Sequence, residues 1–139
     1  MKIIKYPNEI LRQKAKDYLI TRDKKIVNSI IDTLRELPYC SALTAPEVGI
    51  SFKIIVIKEG YEYKTYFNPK LLHKEGKQIL EEGCLCLPDV WKKIERPRII
   101  KVEYKNIHGK KHTRQIYGQP AGIFMHCLDH LNGKLIIDY

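Results

Sequence analysis

His126 and His130 stand four residues apart near the end of the chain. In an α-helix each residue turns by about 100°, so this step brings two imidazoles onto one face, one turn apart. Two nitrogens placed that way can hold a zinc-like divalent cation. The same pair could equally be an inert, half-exposed helix face, so a third donor matters. Cys84 is the candidate, in the stretch Glu82-Gly83-Cys84-Leu85-Cys86-Leu87-Pro88. A thiolate is a good ligand for zinc or ferrous iron, and a bound cation deprotonates it. The plain alternative is a cysteine buried in a strand.

The elements around these residues follow from pattern. After Gly118 and Pro120, the residues Ile123, Phe124, Cys127, Leu128 and Leu131 lie on neighbouring helical turns, and Asn132-Gly133 is a C-terminal stop signal. Upstream, Pro7-Asn8 opens a short helix expected to run to about Lys16. Asp23 reads as the N-cap of another, whose apolar face is Ile26, Val27, Ile30, Ile31 and Leu34 and which ends by Pro38. The middle reads as strands. Lys53 to Ile57 is β-branched, Thr65 to Phe67 is expected to stop at Asn68-Pro69, and Ile99 to Lys105 pairs with His112 to Tyr117 across a turn containing Gly109. The order predicts an α+β fold, its last helix packed on an antiparallel sheet.

The chain has 139 residues, one domain's worth (1–139), with 44% hydrophobic and 29% charged residues. No apolar run approaches the length of a membrane span, and no signal-peptide core follows Met1-Lys2, so a cytoplasmic protein without membrane attachment is expected. The net charge of +9 permits weak attraction to an acidic partner such as a ribosome surface, or is simply a lysine-rich solvated exterior. The four cysteines, Cys40, Cys84, Cys86 and Cys127, fit metal binding, catalysis or burial better than disulfides in that compartment.

Three segments together resemble the signatures of the peptide deformylase family. Leu43-Thr44-Ala45-Pro46-Glu47-Val48-Gly49 is similar to the family's G-x-G-L-A-A-x-Q segment. Glu82-Gly83-Cys84-Leu85-Cys86 is similar to E-G-C-L-S, and His126-Cys127-Leu128-Asp129-His130-Leu131-Asn132-Gly133 to H-E-x-D-H-L-x-G. The resemblance spans nearly the whole chain, from Tyr6-Pro7-Asn8 to Leu135–Tyr139. It implies a deformylase-like α+β fold, with antiparallel sheets packed around a central metal-binding helix. It implies Cys84, His126 and His130 as ligands of Fe2+ or Zn2+, with Ni2+ able to substitute, and a fourth position left to water. It also implies Leu85 as a backbone oxyanion donor, Arg96 as a support of the site and Asp129 as a support of the ligand helix. The substrate class it implies is a formylated peptide N-terminus, handled by a monomer. Members often continue past this point, so a C-terminal helix is expected to be missing.

The chain departs from the pattern where the chemistry is done. A glutamate that takes a proton from water is replaced by Cys127, whose shorter side chain has an unperturbed pKa of about 8.5. A glutamine that donates to the oxyanion is replaced by Glu47, which cannot donate unless protonated. Cys40, Ser41 and Ala42 stand where the family has G-x-G, and Cys86 replaces a serine. Three readings follow: a metal-binding protein impaired in hydrolysis, an active deformylase with Glu47 as a relocated base, or a cysteine-rich structural or redox site. In the last, several cysteines converge on one cavity and Cys127 becomes an extra ligand or pairs with Cys84 in a redox switch; the plain alternative is that Cys40 and Cys86 are merely buried.

Overall fold

The structure is a computed structural model and describes residues 1–139. Runs of β-branched and aromatic residues supply seven strands: β1 Ala42–Thr44, β2 Ile54–Glu59, β3 Glu62–Glu75, β4 Gln78–Cys84, β5 Leu87–Arg96, β6 Ile99–Lys105 and β7 Lys111–Tyr117. Two α-helices, α1 Lys25–Arg35 and α2 Gln119–Leu131, flank them in sequence. All strand pairings are antiparallel. Five strands form one sheet in the order β1-β2-β3-β6-β7, and β4 pairs only with β5. This is the expected α+β arrangement, with α2 at its centre.

Helix α2 is held from two sides. Ala121, Phe124, Leu128 and Leu131 enter the core beneath the five-stranded sheet, among Ile55, Tyr66, Ile100, Val102 and Ile116. Phe124 meets Tyr66 edge-on, with ring centroids 5.2 Å apart. On the β4–β5 side the helix carries Gly122, where an added Cβ would lie 2.2 Å from Leu80 Cδ1. A side chain there would force the end of Leu80 aside, so glycine lets α2 and β4 approach with Leu80 in its present place. Helix α1 buries Val27, Ile30 and Leu34 against Leu43, Ile54 and Val56. It ends at Arg35, before Pro38.

Several local expectations are corrected. The helix expected from Pro7 to Lys16 is only a 3-10 turn, Glu9–Arg12, capped by Asn8, whose Oδ1 accepts from the Ile10 amide at 3.1 Å. Only Leu11 is fully buried in that turn, and the chain beyond it bonds elsewhere: Ala15 N–H to Leu131 O, Lys16 N–H to Ser51 O. Lys24, not Asp23, occupies the cap position of α1, although Asp23 Oδ1 still accepts from the Lys25 amide at 3.0 Å. Asn68-Pro69 does not stop a strand. β3 continues through it as an irregularity, with Asn68 at φ 49 and its side chain bonded in both directions to the Tyr18 backbone. A bulge tolerates a proline because one ladder bond is already missing there. The β4–β5 hairpin was not expected as a pair of strands. Its exposed Ile79 and Trp91 break the alternation that marks a half-buried strand. No helix is long and apolar enough to cross a membrane.

Candidate metal centre

Strand β4 ends at Cys84, where the pairing with β5 shifts register after Gly83. That irregularity releases Cys84 from the regular ladder and turns it toward α2. Helix α2 presents His126 and His130 on the same side. From the opposite direction comes the 3-10 turn Ala45–Val48, begun by Pro46 and closed by Gly49 at φ 89, a left-handed position that suits glycine. The Glu47 carbonyl in this turn accepts from the Ile4 amide at 2.7 Å. Its side chain is 6% exposed.

Four donor atoms converge. One each from Glu47, Cys84, His126 and His130, they all lie within 4.8 Å of one another. His130 Nε2 is 3.2 Å from Cys84 Sγ, 3.2 Å from His126 Nε2 and 2.9 Å from Glu47 Oε1. Cys127 is not in this group. It is 2% exposed and packs in the core beneath the sheet while touching the cavity wall.

Behind the donors lies a charged network. Arg96, 2% exposed, forks onto both oxygens of Glu82 at 2.7 Å and reaches Asp129 Oδ2 at 2.7 Å. Glu82 Oε1 in turn bonds His126 Nδ1 at 2.8 Å, which fixes the ring and leaves Nε2 to face the other donors. The Tyr139 hydroxyl donates to Asp129 at 2.6 Å and accepts from Arg96 at 2.9 Å. His130 Nδ1 is buried without a hydrogen-bond partner. Arg96 and Asp129, each named from the resemblance as a support of the site, are thus bonded to each other. The roles of Glu82 and Tyr139 were missed. The signal for Glu82 was its position two residues before Cys84, on the same face of a strand.

The electrostatics match this arrangement. Burial would raise the Glu82 pKa, but Arg96 and His126 outweigh it and hold it at about 2. Burial would lower both histidines. Cys84 and Glu82 instead bring His126 up to about 9, and Glu47 and Cys84 bring His130 up to about 10. Cys86 lies under Cys84 and stabilises its thiolate, which burial opposes and both histidines favour, so the Cys84 thiol is pulled well down. Cys86 itself is pushed up and keeps its proton. Cys127 is raised by burial first, then by the charges of Glu47 and Cys84.

A nitrogen, sulfur and oxygen set of this kind fits a borderline divalent cation such as zinc or ferrous iron. The crowding at His130 Nε2 also fits, since one nitrogen carries at most one hydrogen and faces three heteroatoms. In this surrounding the remaining candidates fall as follows. The Leu85 carbonyl accepts from Lys5 Nζ at 3.1 Å, and its amide finds no acceptor. Cys40 is half-buried and lines the same cavity as Glu47 and Cys84. All four cysteines are free thiols. The cavity measures about 680 Å³, and Leu80, Leu85, Trp91 and Ile123 form its apolar wall.

A sequence model described as polypeptide deformylase matches residues 1–139. The chain belongs to the peptide deformylase family. Peptide deformylase 2 of Clostridium acetobutylicum is 39% identical over 133 residues, covering 94% of this chain and 89% of that relative. The crystal structure of the peptide deformylase from Thermotoga maritima superposes with a TM-score of 0.91 at 35% identity, covering 99% of this chain and 95% of that one. An inhibitor complex of the Plasmodium falciparum peptide deformylase gives a TM-score of 0.90 at 38% identity, over 99% and 87% of the two chains. The deformylase fold thus carries the four converging donors of this chain.

Proposed function

We propose that this protein is a metal-binding member of the peptide deformylase family that receives peptide N-termini and is impaired in hydrolysing their formyl group. Cys84, His126 and His130 would hold Fe2+ or Zn2+, with Ni2+ able to replace them. A divalent ion bound there supplies Lewis-acid chemistry, acidifying water and polarising a carbonyl. What the protein's own groups add to that is where the reading turns.

The observation that carries it is the state of Cys127. This residue stands at the position where the family's motif has its glutamate, yet it is a buried thiol whose pKa is driven up. A neutral thiol takes no proton from water, and with its pKa raised it gives up its own only at a high cost. General acid–base help of this kind is worth about 100- to 10,000-fold. Glu47 compounds the loss. A carboxylate facing the formyl oxygen repels the charge that develops on it, where an amide would donate to it. The Leu85 amide, free of any acceptor, remains as a backbone donor to that oxygen. Lys5 and the apolar cavity wall stay in place to receive a peptide, so recognition is expected to outlast hydrolysis.

A second reading rests on the same Glu47. Its buried carboxylate lies 2.9 Å from His130 Nε2, so it is close enough to the donors to act as a relocated base. In that case turnover persists and is lost in Glu47→Gln.

The double variant Cys127→Glu/Glu47→Gln tests the main reading with formyl-Met-Ala-Ser as substrate. Turnover is expected to rise about 100-fold or more over the unmodified protein. No rise, with the unmodified protein already turning over at about 10 per second, would sink it. The basic exterior supports only weak, salt-sensitive ribosome association.

A further inference from the structure

We propose that Glu47 is a fourth protein ligand, so that the site holds its divalent ion in a closed set of Glu47, Cys84, His126 and His130. This rests on the reading of the site as a metal centre, and it supplies a second cause for impairment.

The first argument is spatial. Donors about 2.0 to 2.3 Å from a tetrahedral ion lie roughly 3.3 to 3.7 Å from each other. Glu47 Oε1 is 2.9 Å from His130 Nε2, beside separations of 3.2 Å for the two neighbouring pairs. These separations run slightly below that range, close enough that a small adjustment around an ion would bring the carboxylate into one shell with the other three. Glu47 is not a remote residue reaching in, because all four donor atoms fall within 4.8 Å of one another.

The second argument is hydrogen-bond capacity. Read as an ordinary ion pair, Glu47 would take the only proton on His130 Nε2. That would leave Cys84 and His126 facing the same nitrogen with nothing to share. A cation among the four satisfies every contact at once.

The third argument is charge. A thiolate and a carboxylate neutralise a dication, and neutral sites are the ones that survive burial. Glu82 cannot serve this purpose, since Arg96 already takes both of its oxygens. Cys127 stands outside the converging group. The Ala45–Val48 turn holds Glu47 in place through Pro46, Gly49 and the bond from Ile4, so its position is built into the backbone.

Two measurements on the whole protein decide it. The first is Zn2+ affinity by competition with a chromophoric chelator. The second is the visible spectrum of the Co2+-loaded protein with and without azide. Glu47→Gln is expected to weaken Zn2+ binding by about 10-fold or more, to keep the thermal midpoint of the apoprotein, and to let azide shift the Co2+ bands. The unmodified protein is expected to show no azide shift. Cys127→Ser should leave both readouts unchanged. Equal Zn2+ affinity in the unmodified and Glu47→Gln proteins would overturn the proposal, as would an azide shift in the unmodified protein. So would loss of affinity in Cys127→Ser alone, which would put the fourth ligand there. Should Glu47→Gln fail to fold, Glu47→Asp replaces it, with the same expectations because the shorter carboxylate falls short of the shell. None of these outcomes depends on turnover. Normal deformylase activity in the unmodified protein that is lost in Glu47→Gln, with Zn2+ affinity unchanged, would instead mark Glu47 as a base and defeat the impairment reading as well.

Discussion

At the residue scale, the site is decided by how each buried charge is matched. Arg96 is the hinge of that matching. Its guanidinium holds Glu82 with two bonds and Asp129 with a third, and through Glu82 it fixes the His126 ring. Removing it leaves two carboxylates, with side chains 10% and 16% exposed, that keep only His126 and the Tyr139 hydroxyl as partners. Truncating one member of a buried charged network costs about 3–5 kcal/mol. Arg96→Ala is therefore expected to lower stability by about that amount in urea denaturation and to weaken Zn2+ binding by 10- to 100-fold, about the effect of losing an orienting group. Arg96→Lys should recover little, because a point charge cannot fork onto both Glu82 oxygens. A variant as stable as the parent would show that the network is better solvated than its burial indicates.

At the element scale, the three segments that bear the converging donors come from distant parts of the chain and meet only through packing. The helix was legible because His126, Cys127 and His130 sit within an apolar repeat closed by Asn132-Gly133, and α2 runs to Leu131 as that repeat demands. Cys84 was legible as a candidate donor, while the hairpin that carries it was not. Its outer residues Ile79 and Trp91 are exposed, so hydrophobic alternation alone could not separate β4 and β5 from loop. Glu47 could be flagged only as an altered position. That its carboxylate joins the donors depends on the fold bringing a 3-10 turn against α2, a contact between residues about eighty apart in sequence that no local pattern encodes. The same holds for Glu82 and Tyr139. Gly122 gives a direct test of the packing. In Gly122→Val the branched side chain meets Leu80 and crowds Arg96, whose Cγ is 3.7 Å from the added Cβ. Overpacking of this kind costs about 1–3 kcal/mol. The expected result is a thermal midpoint lower by several degrees together with weaker Zn2+ retention, since α2 and β4 carry the proposed ligands on both sides of the contact. A lower midpoint with metal affinity unchanged would mean that the hairpin moves without disturbing Cys84.

At the scale of the whole molecule, both ends of the chain are bound into the structure near the site. Arg12 pairs with Asp138 at 2.5 Å, and Tyr139 completes the Arg96–Asp129 network. The family's fold is thus kept, with a cavity and four converging donors, and the proposed impairment rests on Cys127 and Glu47. The most direct measurement is metal content and turnover on one anaerobic preparation, assayed with formyl-Met-Ala-Ser beside the Thermotoga maritima deformylase. The account predicts one divalent ion per chain and turnover at least about 100-fold below that relative. One ion per chain with turnover equal to the relative's would contradict it.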